Sequence, residues 1–437
     1  MRKIVILLLA CLCLLTAEAQ VADGRVAELI GTGDWFALER EYPALKDSVQ
    51  DSTLRLMAET LTAAYFNRDD EAVSLIDTLV ANHQAEIGFG NTMSMLIIQS
   101  AVEKRRGNYA KAFDKLGSFI SQVKAQAPQA DISQAEVYYN MYKHLRNYER
   151  ASLSRPHGDV TVELMLERQR RNDNDTSYVG YSMYMPVSIN GKRYKALIDT
   201  GCANTLCPGS IAEELGITAQ ADTTTLIGVG TVKAATCTID SINIGAMTMR
   251  NALTTIVTDG DLDDTAGRQY DMIIGLDFLK LCGEAQFYPK EGKIVFPERC
   301  TPLPRTGHNL LLTEADNLRL EAYAGGERCR FFLDTGNSIT ALSLKYYGRH
   351  KDEIDRTARK VTRKGGGIGF GGMLTTLKTQ PLTLSTGGAD VTLEHVAVPL
   401  DNLAPIQIDD GNVGVNLIQD CRKATLNLKD LFLKIEN

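Results

Sequence analysis

Two aspartates stand in matching settings, Ile198-Asp199-Thr200-Gly201 and Leu333-Asp334-Thr335-Gly336. Each is preceded by an apolar stretch, Ala196-Leu-Ile198 or Phe331-Phe-Leu333. Each is followed by a glycine that lets the backbone turn tightly and whose N–H can bond the carboxylate. Two carboxylates about 3 Å apart cannot both ionise cheaply, so they share one proton and titrate as a pair. Such a pair suits hydrolysis of a peptide bond. One carboxylate takes a proton from water as that water attacks the carbonyl, while the other, protonated, donates to the carbonyl oxygen. One Asp-Thr-Gly alone can simply cap a turn; two in a common frame are what turn the reading toward chemistry.

The frame is a duplication. Asn190-Gly191 and Gly325-Gly326 begin nine residues before Asp199 and Asp334, each between strand-like segments, as a two-residue hairpin requires. Thr205 and Thr340 both lie six residues after their aspartates, and helix-like segments follow, Ile211 to Gly216 and Leu344 to Gly348, each closing on a possible capping glycine. Met272-Ile-Ile-Gly275-Leu-Asp277 and Asn412-Val-Gly414-Val-Asn416 come later, with Gly275 and Gly414 placed 76 and 80 residues after the aspartates. Cys282 and Cys421 stand seven residues beyond those glycines, and each copy ends in a β-like hairpin, Gln286 to Phe296 and Thr425 to Ile435. From about 180 to 437 the chain reads as two copies of one β-rich unit.

Apolar-Asp-Thr-Gly followed some eighty residues later by apolar-apolar-Gly resembles the aspartic peptidases. Ile274-Gly275-Leu-Asp277-Phe-Leu is most similar to the retropepsin-like branch, here with both lobes fused in one chain. The resemblance implies that each lobe supplies one catalytic loop and that the apolar-Gly segment threads beneath it. It implies Asp199 and Asp334 as the catalytic pair, supported by Thr200, Gly201, Thr335 and Gly336, with Thr200 and Thr335 hydrogen-bonded across the junction. The residue after Asp-Thr-Gly, usually Ser, Thr or Ala in the family, is Cys202 in one copy and Asn337 in the other. Asn337 can bond the outer carboxylate oxygen or disturb it.

Glycine-rich stretches lie between aspartate and later glycine in both copies: Ile227-Gly228-Val229-Gly230, and Gly365 to Gly372 with Gly367, Ile368, Gly369 and Phe370 at its centre. They read as paired flaps that fold over an extended peptide bound by main-chain hydrogen bonds; ordinary β-turns are the plainer alternative. A phosphate loop is disfavoured, because no Lys-Ser/Thr and no evident helix follow Gly372.

Elsewhere no chemistry is evident. Arg2 and Lys3, the apolar run Ile4 to Leu15 and Ala17-Glu-Ala19 read as a secretory leader over 1–19. Leu8-Leu-Ala-Cys11 resembles a lipoprotein cleavage site and is the alternative. Residues 20–150 show apolar residues at helical spacing in Leu54–Tyr65, Ala72–Val80, Met93–Val102, Ala110–Val123 and Ile132–Tyr142. Gly33-Asp-Trp, Arg68-Asp-Asp and Gly107-Asn-Tyr recur near the tetratricopeptide period, and Gly107-Asn-Tyr-Ala-Lys-Ala112 resembles the start of that repeat's second helix. An unspecialised helical bundle fits nearly as well. Arg150 to Val160 reads as a linker, and Gln169 to Thr176 as a polar loop.

The expected architecture is therefore a multidomain α + β chain. A tetratricopeptide-like helical domain (20–150) precedes an all-β two-lobed aspartic-peptidase fold, with lobe one at 178–298 and lobe two at 316–437. The expected activity is that of an exported endopeptidase, periplasmic or secreted, acting on polypeptide without cofactor or metal. The alternative is an inactive peptidase fold that binds peptide, its helical domain recruiting a protein partner. A net charge of −7, with no long basic cluster, gives no support to nucleic-acid binding. Past the leader no apolar run approaches the roughly 20 residues of a membrane helix. Seven of the nine cysteines lie beyond the leader. In an oxidising compartment some should pair, Cys202 with Cys207 being one candidate and buried thiols the other reading.

Overall fold

A computed structural model of the chain describes residues 20–170, 178–217, 223–227, 231–262, 270–367, 370–399 and 409–437. The leader, the end of the polar loop and the flap residues Gly228, Val229, Gly230, Ile368 and Gly369 lie outside the described residues. The chain forms two units. A helical one runs to Arg146 and includes Thr306–Glu314; a β-rich one holds Asn147–Arg305 and Ala315–Asn437. No described helix is long and apolar enough to cross a membrane.

In the helical unit a helix over 20–32 is followed by Trp35–Leu45, Ser52–Tyr65, Asp69–Asn82, Gln84–Arg105, Tyr109–Gln126 and Ser133–Leu145. The three recurring motifs mark the same turn. Gly33, Asn67 and Gly107 take left-handed φ of 65°, 63° and 78°. The next N–H, of Asp34, Arg68 or Asn108, reaches back to the carbonyl of Leu29, Ala63 or Glu103 at 3.0, 2.9 and 2.8 Å. This is a helix C-cap closed by a glycine or asparagine, which tolerate the left-handed conformation. Leu38, Ala58, Ile76, Leu79 and Val102 fill the core, joined by Leu311 of the 306–314 segment. That segment separates the two lobes in sequence, yet it belongs to the helical unit.

The β-rich unit repeats one lobe. In the first, Tyr178–Ile189 and Lys192–Ile198 form a hairpin around Asn190 and Gly191, with φ of 51° and 81°. In the second, Leu318–Ala324 and Glu327–Leu333 do the same around Gly325 and Gly326, with φ of 57° and 86°. Two left-handed residues in succession are the type I′ requirement that the sequence meets. Behind each hairpin's second strand a short strand runs parallel, Met272–Ile274 beside Ala196–Ile198 and Gly411–Val413 beside Phe331–Leu333. A longer strand pair completes each lobe: Thr231–Ile244 with Met247–Val257, and Phe370–Thr386 with Ala389–Pro399.

The closing hairpins of the two copies meet in a shared five-stranded sheet, in the order Val160–Glu163, Lys293–Phe296, Glu284–Tyr288, Lys423–Asn427, Phe432–Glu436. Ala285 faces Leu426 at the seam. The buried Glu284 carboxylate accepts there from Thr301 N at 2.6 Å and Asn427 Nδ2 at 2.9 Å.

Three readings need correction. The stretch 150–160, read as the link leading to the β-rich part, is already built into it: Ser152–Ser154 pairs with Met247–Val257, and Val160 opens the shared sheet. The supposed polar loop begins as strand, since Gln169 and Arg170 still pair with the strand Tyr178–Ile189. Gly348 does not end its helix, which continues to Arg349, with His350 N closing on Tyr346 O at 3.2 Å. Gly216 does cap, at φ 67°.

Candidate active site

Each aspartate ends the hairpin strand that carries it. Asp199 N donates to Ile274 O at 3.1 Å and Asp334 N to Val413 O at 2.9 Å, so the parallel strand behind each hairpin fixes the start of each loop. One turn on, Leu276 N reaches Cys202 O and Val415 N reaches Asn337 O, both at 2.8 Å. This explains the later glycines. A Cβ on Gly275 would lie 2.5 Å from Asn204 O, and one on Gly414 2.5 Å from Asn337 O. Neither position has room for a side chain.

The two loops are tied together through their threonines. Thr200 N donates to Thr335 Oγ1 and Thr335 N to Thr200 Oγ1, both at 3.0 Å. Each hydroxyl then donates across the junction, Thr200 to Leu333 O and Thr335 to Ile198 O, both at 2.8 Å. The four bonds obey a twofold relation and are buried, with Thr200 1% and Thr335 3% exposed.

This clasp makes the carboxyls converge. A Cβ on Gly201 would lie 2.6 Å from Asp334 Oδ1 and 3.1 Å from Asp199 Oδ1. One on Gly336 would lie 2.6 Å from Asp199 Oδ2. Neither glycine has a left-handed φ, so the reason for glycine differs from the tight turn expected: each leaves room for the carboxyl opposite. Their N–H groups do bond the carboxylates, Gly201 to Asp199 Oδ1 at 2.8 Å and Gly336 to Asp334 Oδ1 at 3.0 Å. The two acids therefore face each other across these glycines, near enough for each to perturb the other's proton. Burial raises the proton affinity of both, and for Asp334 the Asp199 charge raises it further. A pair of this kind holds one proton between its members.

A further layer went unread in the sequence. Thr205 N and Oγ1 donate to Asp277 Oδ2 at 3.1 and 3.2 Å, and Thr340 N and Oγ1 donate to Asn416 Oδ1 at 2.9 and 2.8 Å. Threonine and acceptor brace the two loops in the same way, one acceptor being ionisable and the other not. Burial pushes the Asp277 carboxyl up to about 6. Both pairs stood at matching places in the repeat, and that register was the available signal.

Of the flap candidates, Ile227 ends the strand Thr223–Ile227 and pairs with Thr231, while Gly367 pairs with Phe370. The described parts of both stretches are thus strand pairs, and residues 228–230 and 368–369 between them lie outside the described residues. Among the described residues, no disulfide joins the cysteines from Cys202 to Cys421. Cys202 Sγ bonds Asn204 O at 3.0 Å, while Cys207 sits buried in the strand Thr205–Pro208, so the proposed loop disulfide is absent.

Residues 185–281 match the family model described as "gag-polyprotein putative aspartyl protease". The chain is 30% identical over 139 residues to the UBA domain-containing protein Mud1 of Schizosaccharomyces pombe, a match covering 28% of this chain and 39% of that protein's length. It is also similar to the crystal structure of the aspartic proteinase from Irpex lacteus, at 13% identity and a TM-score of 0.40, covering 64% of this chain and 97% of that one. Within lobe one, residues 185–281 are thus similar to an aspartyl protease family, lobe two repeats the same loop and shares the clasp, and a helical region precedes both.

Proposed function

We propose that the chain is an endopeptidase that hydrolyses polypeptides with water held between Asp199 and Asp334. The observation carrying this reading is the convergence of both carboxyls beside Gly201 and Gly336, on loops tied by the reciprocal threonine clasp. In the active form one carboxyl is ionised and takes a proton from water as its oxygen attacks the peptide carbonyl. The other gives its proton to the carbonyl oxygen, and return of a proton to the amide nitrogen releases the two products. Residues 227–231 and 367–370 would cover an extended substrate as paired flaps. No cofactor is required.

Export through the leader at 1–19, to the periplasm or beyond, and recruitment of a protein partner by the helical unit belong to the same proposal. Incubation of the purified chain with an unstructured polypeptide between pH 3 and 8, followed by mass spectrometry, tests it. Internal cleavages support the reading. An intact polypeptide at every pH contradicts it and favours a peptide-binding role.

A further inference from the structure

The two copies differ where they meet the outer carboxyl oxygens. Asn337 Nδ2 donates to Asp334 Oδ2 at 2.7 Å, on the oxygen not used by Gly336 N. In lobe one the matching residue is Cys202, whose thiol turns away to Asn204 O and gives Asp199 only its backbone N–H, at 3.2 Å. Asp334 therefore has a side-chain donor on its outer oxygen, and Asp199 has none among the described residues. An amide N–H stabilises negative charge on the oxygen it meets and makes that oxygen a poor place for a proton.

We propose that Asn337 is a positioning residue that confines the pair's shared proton to the inner carboxyl oxygens and lowers the pH at which a second proton enters. The inference rests on the peptidase reading for its consequence: the form with two protons has no base for water, so Asn337 extends activity toward acid. Other ionisable groups near the loops are Cys202 and, on the helix Leu276–Cys282, Asp277 and Lys280. On the lobe-two side the corresponding turn Val415–Leu417 presents the neutral Asn416. Cys202 stays protonated, its thiol pushed up by burial, while Asp277 accepts from Thr205, and Lys280 donates to Asp316 rather than to Asn337.

The test compares wild type with Asn337→Ala, which removes the donor, and Asn337→Ser, which keeps a shorter one. Titration of 13C-labelled aspartate carboxyls reads the pair directly, and the acid limb of kcat/KM reads it through activity. Loss of one hydrogen bond to a charged group predicts that Asn337→Ala raises the lower pKa by about one unit. Asn337→Ser should fall between it and wild type. A lower pKa unchanged or decreased in folded Asn337→Ala overturns the proposal. So does a folded Asn337→Ala that is inactive at every pH while wild type is active. Should Asn337→Ala fail to fold, the serine variant decides by the same titration. An inert wild type would remove the peptidase reading alone, because the carboxyl titration still tests the proton's placement.

Discussion

Replacing Asp277 with Asn should stabilise the protein at neutral pH and leave it unchanged in acid. Asp277 accepts two bonds from Thr205, as Asn416 does from Thr340 in the other lobe, so an amide already satisfies this geometry once in the same chain. The difference is charge. Burial raises the folded-state carboxyl to about 6, against about 3.9 in an unfolded chain. A raised carboxyl means that the folded state binds its proton more tightly than the unfolded state does. The ionisation penalty is therefore absent below pH about 4, grows as pH rises through 6, and is complete above it. Two pH units correspond to about 3 kcal/mol. Since Asp277 is only half-buried, solvent screening brings the expected gain to roughly 1–2 kcal/mol. Denaturant unfolding of wild type and Asp277→Asn, followed by circular dichroism at pH 4 and pH 8, measures it. The account expects coincident curves at pH 4 and a later midpoint for the variant at pH 8. A gain independent of pH, or a variant less stable at pH 8, would refute it.

Other expectations follow from the same geometry. Asn416→Asp should do the reverse, destabilising the fold at pH 8 by a similar amount and much less at pH 4 in the same denaturation series. Thr200→Val leaves Thr335 N and Leu333 O without their partners and should cost about 2–4 kcal/mol. Thr335→Val should match it, and the double variant should cost less than the two together, as thermal unfolding of all three would show. Gly275→Ala and Gly414→Ala each place a methyl 2.5 Å from a backbone carbonyl, so each should unfold or markedly destabilise its lobe. Soluble yield and melting temperature decide that. Gly191→Ala, in open space at φ 81°, should lose only about 1 kcal/mol of turn strain.

The sequence disclosed most where local chemistry and duplication coincide. Asn190-Gly191 and Gly325-Gly326 specify their hairpins because few residues accept two left-handed φ values in a row. Gly275 and Gly414 could be paired by spacing, although their cause, two carbonyls within 2.5 Å of a would-be Cβ, is a tertiary fact. The Thr205–Asp277 and Thr340–Asn416 braces were hidden for the same reason, since each joins residues more than seventy positions apart. Edge strands such as Ser152–Ser154 carry too few residues to show a period, and a Pro and a Gly just after them look like a linker. The assignment of 306–314 to the helical unit depends on Leu311 finding that core, which no local pattern announces.

The central claim is that Asp199 and Asp334 act together on one water. It is tested most directly by measuring kcat/KM of wild type, Asp199→Asn and Asp334→Asn on one unstructured polypeptide across pH 3 to 8. The account predicts cleavage by wild type and its loss in both variants at every pH, with folding retained. Cleavage by wild type that persists in either variant would contradict it.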